Sequence, residues 1–154
     1  MPRSIKPHSG RLRVGRYSET QRLYLLTCTV HERRAVFTGF TCARLLIAEL
    51  RRAQDEGLVD SLAWVVMPDH FHWLTVLQQG SVEQLMQRVK GRSARVLNQA
   101  LGRSGRLWQS GYHDRALRRE EDVQAVARYS VANPLRAGLV GRLGDYPFWD
   151  AVWL

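Results

Sequence analysis

Residues 62–77 read LAWVVMPDHFHWLTVL, and no other stretch constrains the fold as tightly. Two runs of β-branched and aromatic residues are split by Pro68-Asp69, and a proline fixes φ and removes an amide donor that a strand in mid-sheet needs. A tight β-hairpin is the expected result. On its second arm His70 and His72 stand two residues apart, which puts both side chains on one sheet face and Phe71 and Trp73 on the other. Two imidazoles so placed can chelate a metal, but the pattern equally suits one core and one surface histidine. A third ligand has to decide between them.

The flanking sequence builds outward from this hairpin. LYLLTCTV (23–30) reads as a buried strand, and 41–57 switches to helical spacing with Ala43, Leu46, Ile47, Leu50 and Ala53 on one face. Thr41 can cap that helix and Gly57 can end it. Ser81 to Gln84 has the form of a capping box, and Val82, Leu85, Met86, Val89, Val96 and Leu97 continue as an apolar stripe to about Leu101. A fourth strand is expected around 112–118. A third helix follows over 119–133, with acids in its first turn and Pro134 as its stop. The end, YPFWDAVWL, is irregular but too aromatic for a solvated terminus, and docking on the body is expected. The order strand, helix, strand, strand, helix, strand specifies an α+β fold, a ferredoxin-like split βαβ antiparallel sheet with an added C-terminal helix. No repeat or second domain is visible, so 18–154 is expected to be one domain behind a basic arm, 1–17.

The charge balance, 23 Lys and Arg against 14 Asp and Glu in 154 residues, points to a polyanionic partner. The arm contributes Arg11, Arg13 and Arg16 among its five basic residues and holds no acid. It reads either as a segment that tracks a nucleic-acid strand or as a plain solvated tail. On the second helix Arg88, Arg92 and Arg95 fall near one line, with the same two readings. Trp108, Tyr112, Trp149 and Trp153 can stack bases or anchor the core. Cys28 and Cys42 lack a Cys-x-x-Cys pattern and are expected to be buried, reduced thiols. No apolar run reaches membrane-helix length, so a soluble, cytoplasmic protein without a membrane partner is expected.

Tyr129 and Asn133 are spaced i, i+4 on the third predicted helix, at the flank of a stripe centred near Val123, Ala127 and Ser130. Side chains at such a border can leave the core and stay sheltered. Pattern alone equally allows an amphipathic boundary tyrosine and an asparagine that ends the helix before proline.

Taken together and in order, MPDHFHWL, KGRSARVLNQ, LWQSGYHD and ARYSVANPLRAGLV resemble the single-tyrosine HUH transposases of small bacterial insertion sequences, above all the REP-associated tyrosine transposases. The resemblance runs over about residues 17–154. It implies that His70 and His72 bind a divalent metal, Mg²⁺ or Mn²⁺, that Asn133 completes the site, and that Tyr129 attacks single-stranded DNA. The added helix is then the catalytic one. One departure is visible: the common form has asparagine where this chain has Asp69. His113 and Asp114 are either helpers that deprotonate the tyrosine or structural residues.

The function implied is a metal-dependent single-strand DNA endonuclease and strand-transferase. It would act through a covalent 5′-phosphotyrosine on hairpins of repetitive extragenic palindromes, as a nucleoid-associated monomer rather than a dimer. The alternatives are an active transposase of its own element, with DNA recombination as its outcome, and a non-cleaving hairpin-binding module. A hydrolase using the histidines with water lacks a carboxylate ligand near the pair.

Overall fold

The computed structural model of the chain describes residues 18–118 and 122–152. Arg11, Arg13 and Arg16 of the basic arm, the acids at 120 and 121, and Trp153 lie outside the described residues. Five strands, β1 (Leu23–Thr29), β2 (Val59–Met67), β3 (His70–Leu77), β4 (His113–Ala116) and β5 (Trp149–Ala151), alternate with α1 (Phe40–Asp55), α2 (Val82–Leu101), α3 (Val123–Val131) and the short α4 (Asn133–Arg136). They form one sheet in the order β4-β1-β3-β2-β5, every pair antiparallel. The first four strands follow the ferredoxin-like order expected from the sequence.

Local chemistry sets most of the boundaries. The Pro68-Asp69 turn joins β2 to β3 with no residue to spare. The Ser81 hydroxyl accepts from the Gln84 amide and the Gln84 side chain accepts from the Ser81 amide, both at 3.1 Å, so the capping box forms as read. Gly57, at φ +75, follows the last turn of α1, where a side chain would be strained. Thr41 does not cap α1: the helix already starts at Phe40 with Gly39 extended at the N-cap, so Thr41 sits inside the first turn.

Two further expectations fail. The aromatic tail is not wholly irregular, because Trp149–Ala151 pairs with β2 as the edge strand β5. It docks as expected, with Tyr146 and Phe148 buried and the Tyr146 hydroxyl donating to the Val66 carbonyl at 2.5 Å. The third helix also stops early. Pro134 has no amide to give the Ser130 carbonyl, and the Asn133 side-chain amide donates to it instead at 2.6 Å, so α3 ends at Val131 and α4 restarts beyond Ala132.

The sheet has two unlike faces. Under α1 and α2 lie Leu26, Cys28, Phe71, Trp73 and Leu77, met by Met86 and Leu97 of α2, all buried. Under α3 the cluster is smaller, built from Ala63, Leu74, Leu117, Ala127, Val131 and Ala151. Strand alternation sends Phe71 and Trp73 into the first face and turns His70 and His72, with Leu74, toward the second. Cys28 and Cys42 are both free and buried, and burial pushes the Cys28 thiol up to about 12.

Candidate metal and nucleophile site

The hairpin register places Thr29 opposite His70 and Thr27 opposite His72 on β1, and His113 of β4 opposite Thr27 in turn. The two imidazole centroids are 4.9 Å apart. Each ring is held at Nδ1. His72 shares a 2.8 Å hydrogen bond with the Thr27 hydroxyl, and His70 donates to the Asp69 Oδ1 carboxylate oxygen at 2.7 Å. Each Nε2 is left without a protein partner among the described residues. Burial above all, then the charges of His70, Arg136 and His113, pushes His72 down to about 3, so its imidazole is neutral at physiological pH. A neutral ring presenting a lone pair at Nε2 is what a metal requires.

A tight turn at His31–Arg33 supports the hairpin from outside. Glu32 and Arg33 both take positive φ, 59 and 52, a left-handed backbone that disfavours non-glycine residues by about 1–2 kcal/mol each. The Arg33 Nε donates to the second Asp69 oxygen at 3.0 Å, the Val30 amide to the Asp69 carbonyl at 2.8 Å, and the Phe37 amide to the Pro68 carbonyl at 2.9 Å. Burial works against the Asp69 carboxylate, but its hydrogen bonds and the charges of His70 and Arg33 outweigh that and hold its pKa below the ordinary value.

Tyr129 and Asn133 occupy separate pieces of helix, α3 and α4, rather than one continuous face. Tyr129 is 68% exposed. The Arg136 guanidinium lies 3.7 Å over its ring and is near enough to His72 to oppose protonation there. Arg136 of α4 therefore touches the tyrosine ring and acts on His72. Because the Asn133 amide nitrogen is engaged by the Ser130 carbonyl, Oδ1 is the end left to accept or ligate. No cluster of three His, Cys, Asp or Glu exists among the described residues. The donor set of two imidazoles and an amide oxygen nevertheless suits a divalent ion that keeps open positions.

The expected DNA contacts sit elsewhere. Arg88, Arg92 and Arg95, with Gln84, Gln87 and Gly91, line a groove of about 700 Å³ in the helical layer on the opposite side of the sheet. Two of these arginines are engaged: Arg92 donates to both Glu56 oxygens at 2.9 and 3.0 Å, and Arg88 lies 3.5 Å from Glu56. Trp108 and Tyr112 are buried, Trp108 donating to the Ser93 hydroxyl at 2.9 Å, so neither is a base-stacking platform. Trp149 is half-buried and donates to the Leu143 carbonyl. Asp114 is buried, whereas His113 is near enough to His72 to influence it.

Four residues of this constellation were not singled out by the sequence reading for these roles: Thr27, Arg33, Asp69 and Arg136. Asp69 adjoins His70 in a turn and Arg136 follows Tyr129 by about two helical turns, so both left a local trace. Thr27 and Arg33 meet the hairpin only through the tertiary register.

The chain is similar to known proteins in sequence family and in fold. The family profile described as Transposase IS200 like matches residues 19–132, which include His70, His72 and Tyr129 and stop just before Asn133. The REP-associated tyrosine transposase of Escherichia coli K12 is 28% identical over 88 residues, 56% of this chain and 50% of that protein. The chain thus spans about half the length of that curated relative. A REP-associated tyrosine transposase solved with a REP hairpin superposes with a TM-score of 0.71 at 23% identity, over 87% of this chain and 79% of the other. A candidate transposase from Deinococcus radiodurans R1 gives 0.53 at 23%, over 84% and 97%. At that identity the structural likeness speaks for the fold.

Proposed function

We propose that this chain, which belongs to the IS200-like transposase family, is a metal-dependent enzyme that nicks and rejoins single-stranded DNA through a covalent bond to Tyr129. The observation that carries the reading is the pair of imidazoles, each tethered at Nδ1 and open at Nε2, on the sheet face covered by the helix that bears an exposed tyrosine. His70, His72 and the Asn133 oxygen would hold Mg²⁺ or Mn²⁺, which when bound supplies Lewis acidity at the scissile phosphate. The Tyr129 oxygen attacks phosphorus, a 3′ hydroxyl leaves, and the 5′ side remains on the protein. Arg136, whose guanidinium lies over the Tyr129 ring, would meet the charge of the phosphate brought to that oxygen. Of the two proposed helpers, His113 stands opposite Thr27 in the sheet and acts on His72.

The substrate we propose is a hairpin of the repetitive palindromic kind, in line with the REP hairpin bound by the relative of solved structure. Arg88, Arg92 and Arg95, and Arg11, Arg13 and Arg16 of the arm, would follow its phosphates, the first two after leaving Glu56. One catalytic domain over 18–154, acting as a monomer on nucleoid DNA in the cytoplasm, completes the reading. Among the described residues no helix is long and apolar enough to cross a membrane. Retention of both histidines and the tyrosine favours chemistry over a non-cleaving hairpin-binding module. Transposition of its own element is the second catalytic reading, and inverted repeats beside the gene would favour it.

The test labels a hairpin substrate on each side of the cut and adds Mn²⁺. Wild-type protein is expected to give a denaturation-resistant adduct with the 5′ side and to free a 3′ hydroxyl. Tyr129→Phe should lower both by roughly three orders of magnitude or more, with melting temperature and DNA binding unchanged. Cleavage by Tyr129→Phe at the wild-type rate would refute the assignment.

A further inference from the structure

We propose that Arg33 and Asp69 form a positioning relay for His70 that makes the two histidine ligands unequal. The inference rests on the metal-site reading above. His72 is held at Nδ1 by a neutral hydroxyl, whereas His70 is held by a carboxylate, at 2.8 and 2.7 Å. A carboxylate can only accept, so it fixes the proton of His70 on Nδ1 and the lone pair on Nε2. It also draws positive character onto the ring and makes Nε2 the better donor.

Asp69 is itself fixed on every side. One oxygen takes the His70 proton, the other the Arg33 Nε at 3.0 Å, and its backbone carbonyl the Val30 amide at 2.8 Å. With both oxygens engaged, Asp69 acts on His70 and is not itself a ligand. Arg33 reaches Asp69 through two successive left-handed residues, a backbone that would otherwise relax. The strained turn thus has a use: it folds the guanidinium back over the hairpin, so that the plane of the carboxylate, and through it the plane of His70, is set before any ion arrives. His70 becomes the anchoring ligand and His72 the weaker one.

Mn²⁺ affinity of the full chain, measured by titration calorimetry, tests this without recourse to activity. Asp69→Ala is expected to weaken binding about 10- to 100-fold. Asp69→Asn keeps an acceptor but loses the charge, and a smaller loss is expected. Arg33→Gln should weaken binding in the wild-type background and add nothing in the Asp69→Asn background, because it acts through the carboxylate. If Asp69→Ala does not fold, the Asn and Gln variants and their combination decide. Wild-type affinity in Asp69→Ala, alongside lost binding in His70→Ala, would overturn the relay and leave the metal site standing. Equal multiplication by Arg33→Gln in both backgrounds would do the same. Wild-type affinity in His70→Ala would overturn the metal site and the relay with it.

Discussion

β3 runs between two regions built on opposite terms. On the side of α1 and α2, Phe71 and Trp73 are fully enclosed among aliphatic and aromatic neighbours. On the side of α3, small residues such as Ala63, Ala127 and Ala151 meet Leu74, and the same strand presents His70 and His72. The contrast teaches where this fold draws its stability and where it does chemistry. Apolar burial contributes about 25 cal/mol per Å², so the side with large side chains holds the sheet. The side with small ones has room for polar groups that must be satisfied one by one, as the Thr27, Asp69 and Arg33 contacts satisfy them.

This division can be broken or sharpened by experiment. Phe71→Ala should cost about 3–5 kcal/mol, read as a lower urea midpoint. A loss under 1 kcal/mol would mean that the enclosed side does not dominate. Saturating Mn²⁺ should act only on the other side, raising stability by about 2.7 kcal/mol at a hundred times its Kd. His70→Ala should abolish that thermal shift. Glu32→Gly relieves a left-handed backbone in the supporting turn and should stabilise by about 1 kcal/mol, measured by thermal unfolding.

The smallest effect is expected of Glu56→Gln. Arg92, by hydrogen bond, holds the Glu56 carboxyl below its ordinary value of 4.5 despite some desolvation, aided by the charges of Arg92, Arg88 and Arg52. A lowered carboxyl contributes stability that is present above 4.5 and is lost as pH falls through its folded value. The variant should therefore melt slightly lower at pH 7 and match the wild type in acid. It also frees Arg88 and Arg92. Tighter hairpin binding with a steeper salt dependence, by roughly 0.7 in log-log slope per new contact on single strands, would make the α2 groove a DNA surface. An unchanged slope would confine DNA to the histidine side.

The hairpin, the capping box and the order of the first four strands were legible because each is written in adjacent residues. β5 was not, since three residues beside a proline in an aromatic tail carry no periodicity, and their pairing with Ala63 to Val65 is a long-range event. The break after α3 was hidden by Ala132, a good helix former. It becomes intelligible only when the missing Pro134 amide is set against the Ser130 carbonyl. At the site, the motifs that carry the resemblance are what assign roles to His70, His72, Tyr129 and Asn133. The second layer escaped because Thr27 and Arg33 are distant in sequence from the rings and carboxylate they serve. Arg88 and Arg92 read as cations free for DNA or for solvent, and their pairing was missed for the same reason: Glu56 lies on another helix end.

The bulge in β2, where the register shifts between Ser61 and Ala63, has a consequence for how the gene can vary. Side chains on a strand alternate faces, so gaining or losing a single residue between Ala63 and Leu77 would send histidines into the core and Phe71 and Trp73 out of it. β2 already carries one odd residue, Leu62, absorbed as a local kink well away from the turn. Viable length variants of this hairpin are therefore expected to come in twos, or to bring a compensating kink of their own. Selection here must preserve two reading frames at once, that of the codons and that of the faces.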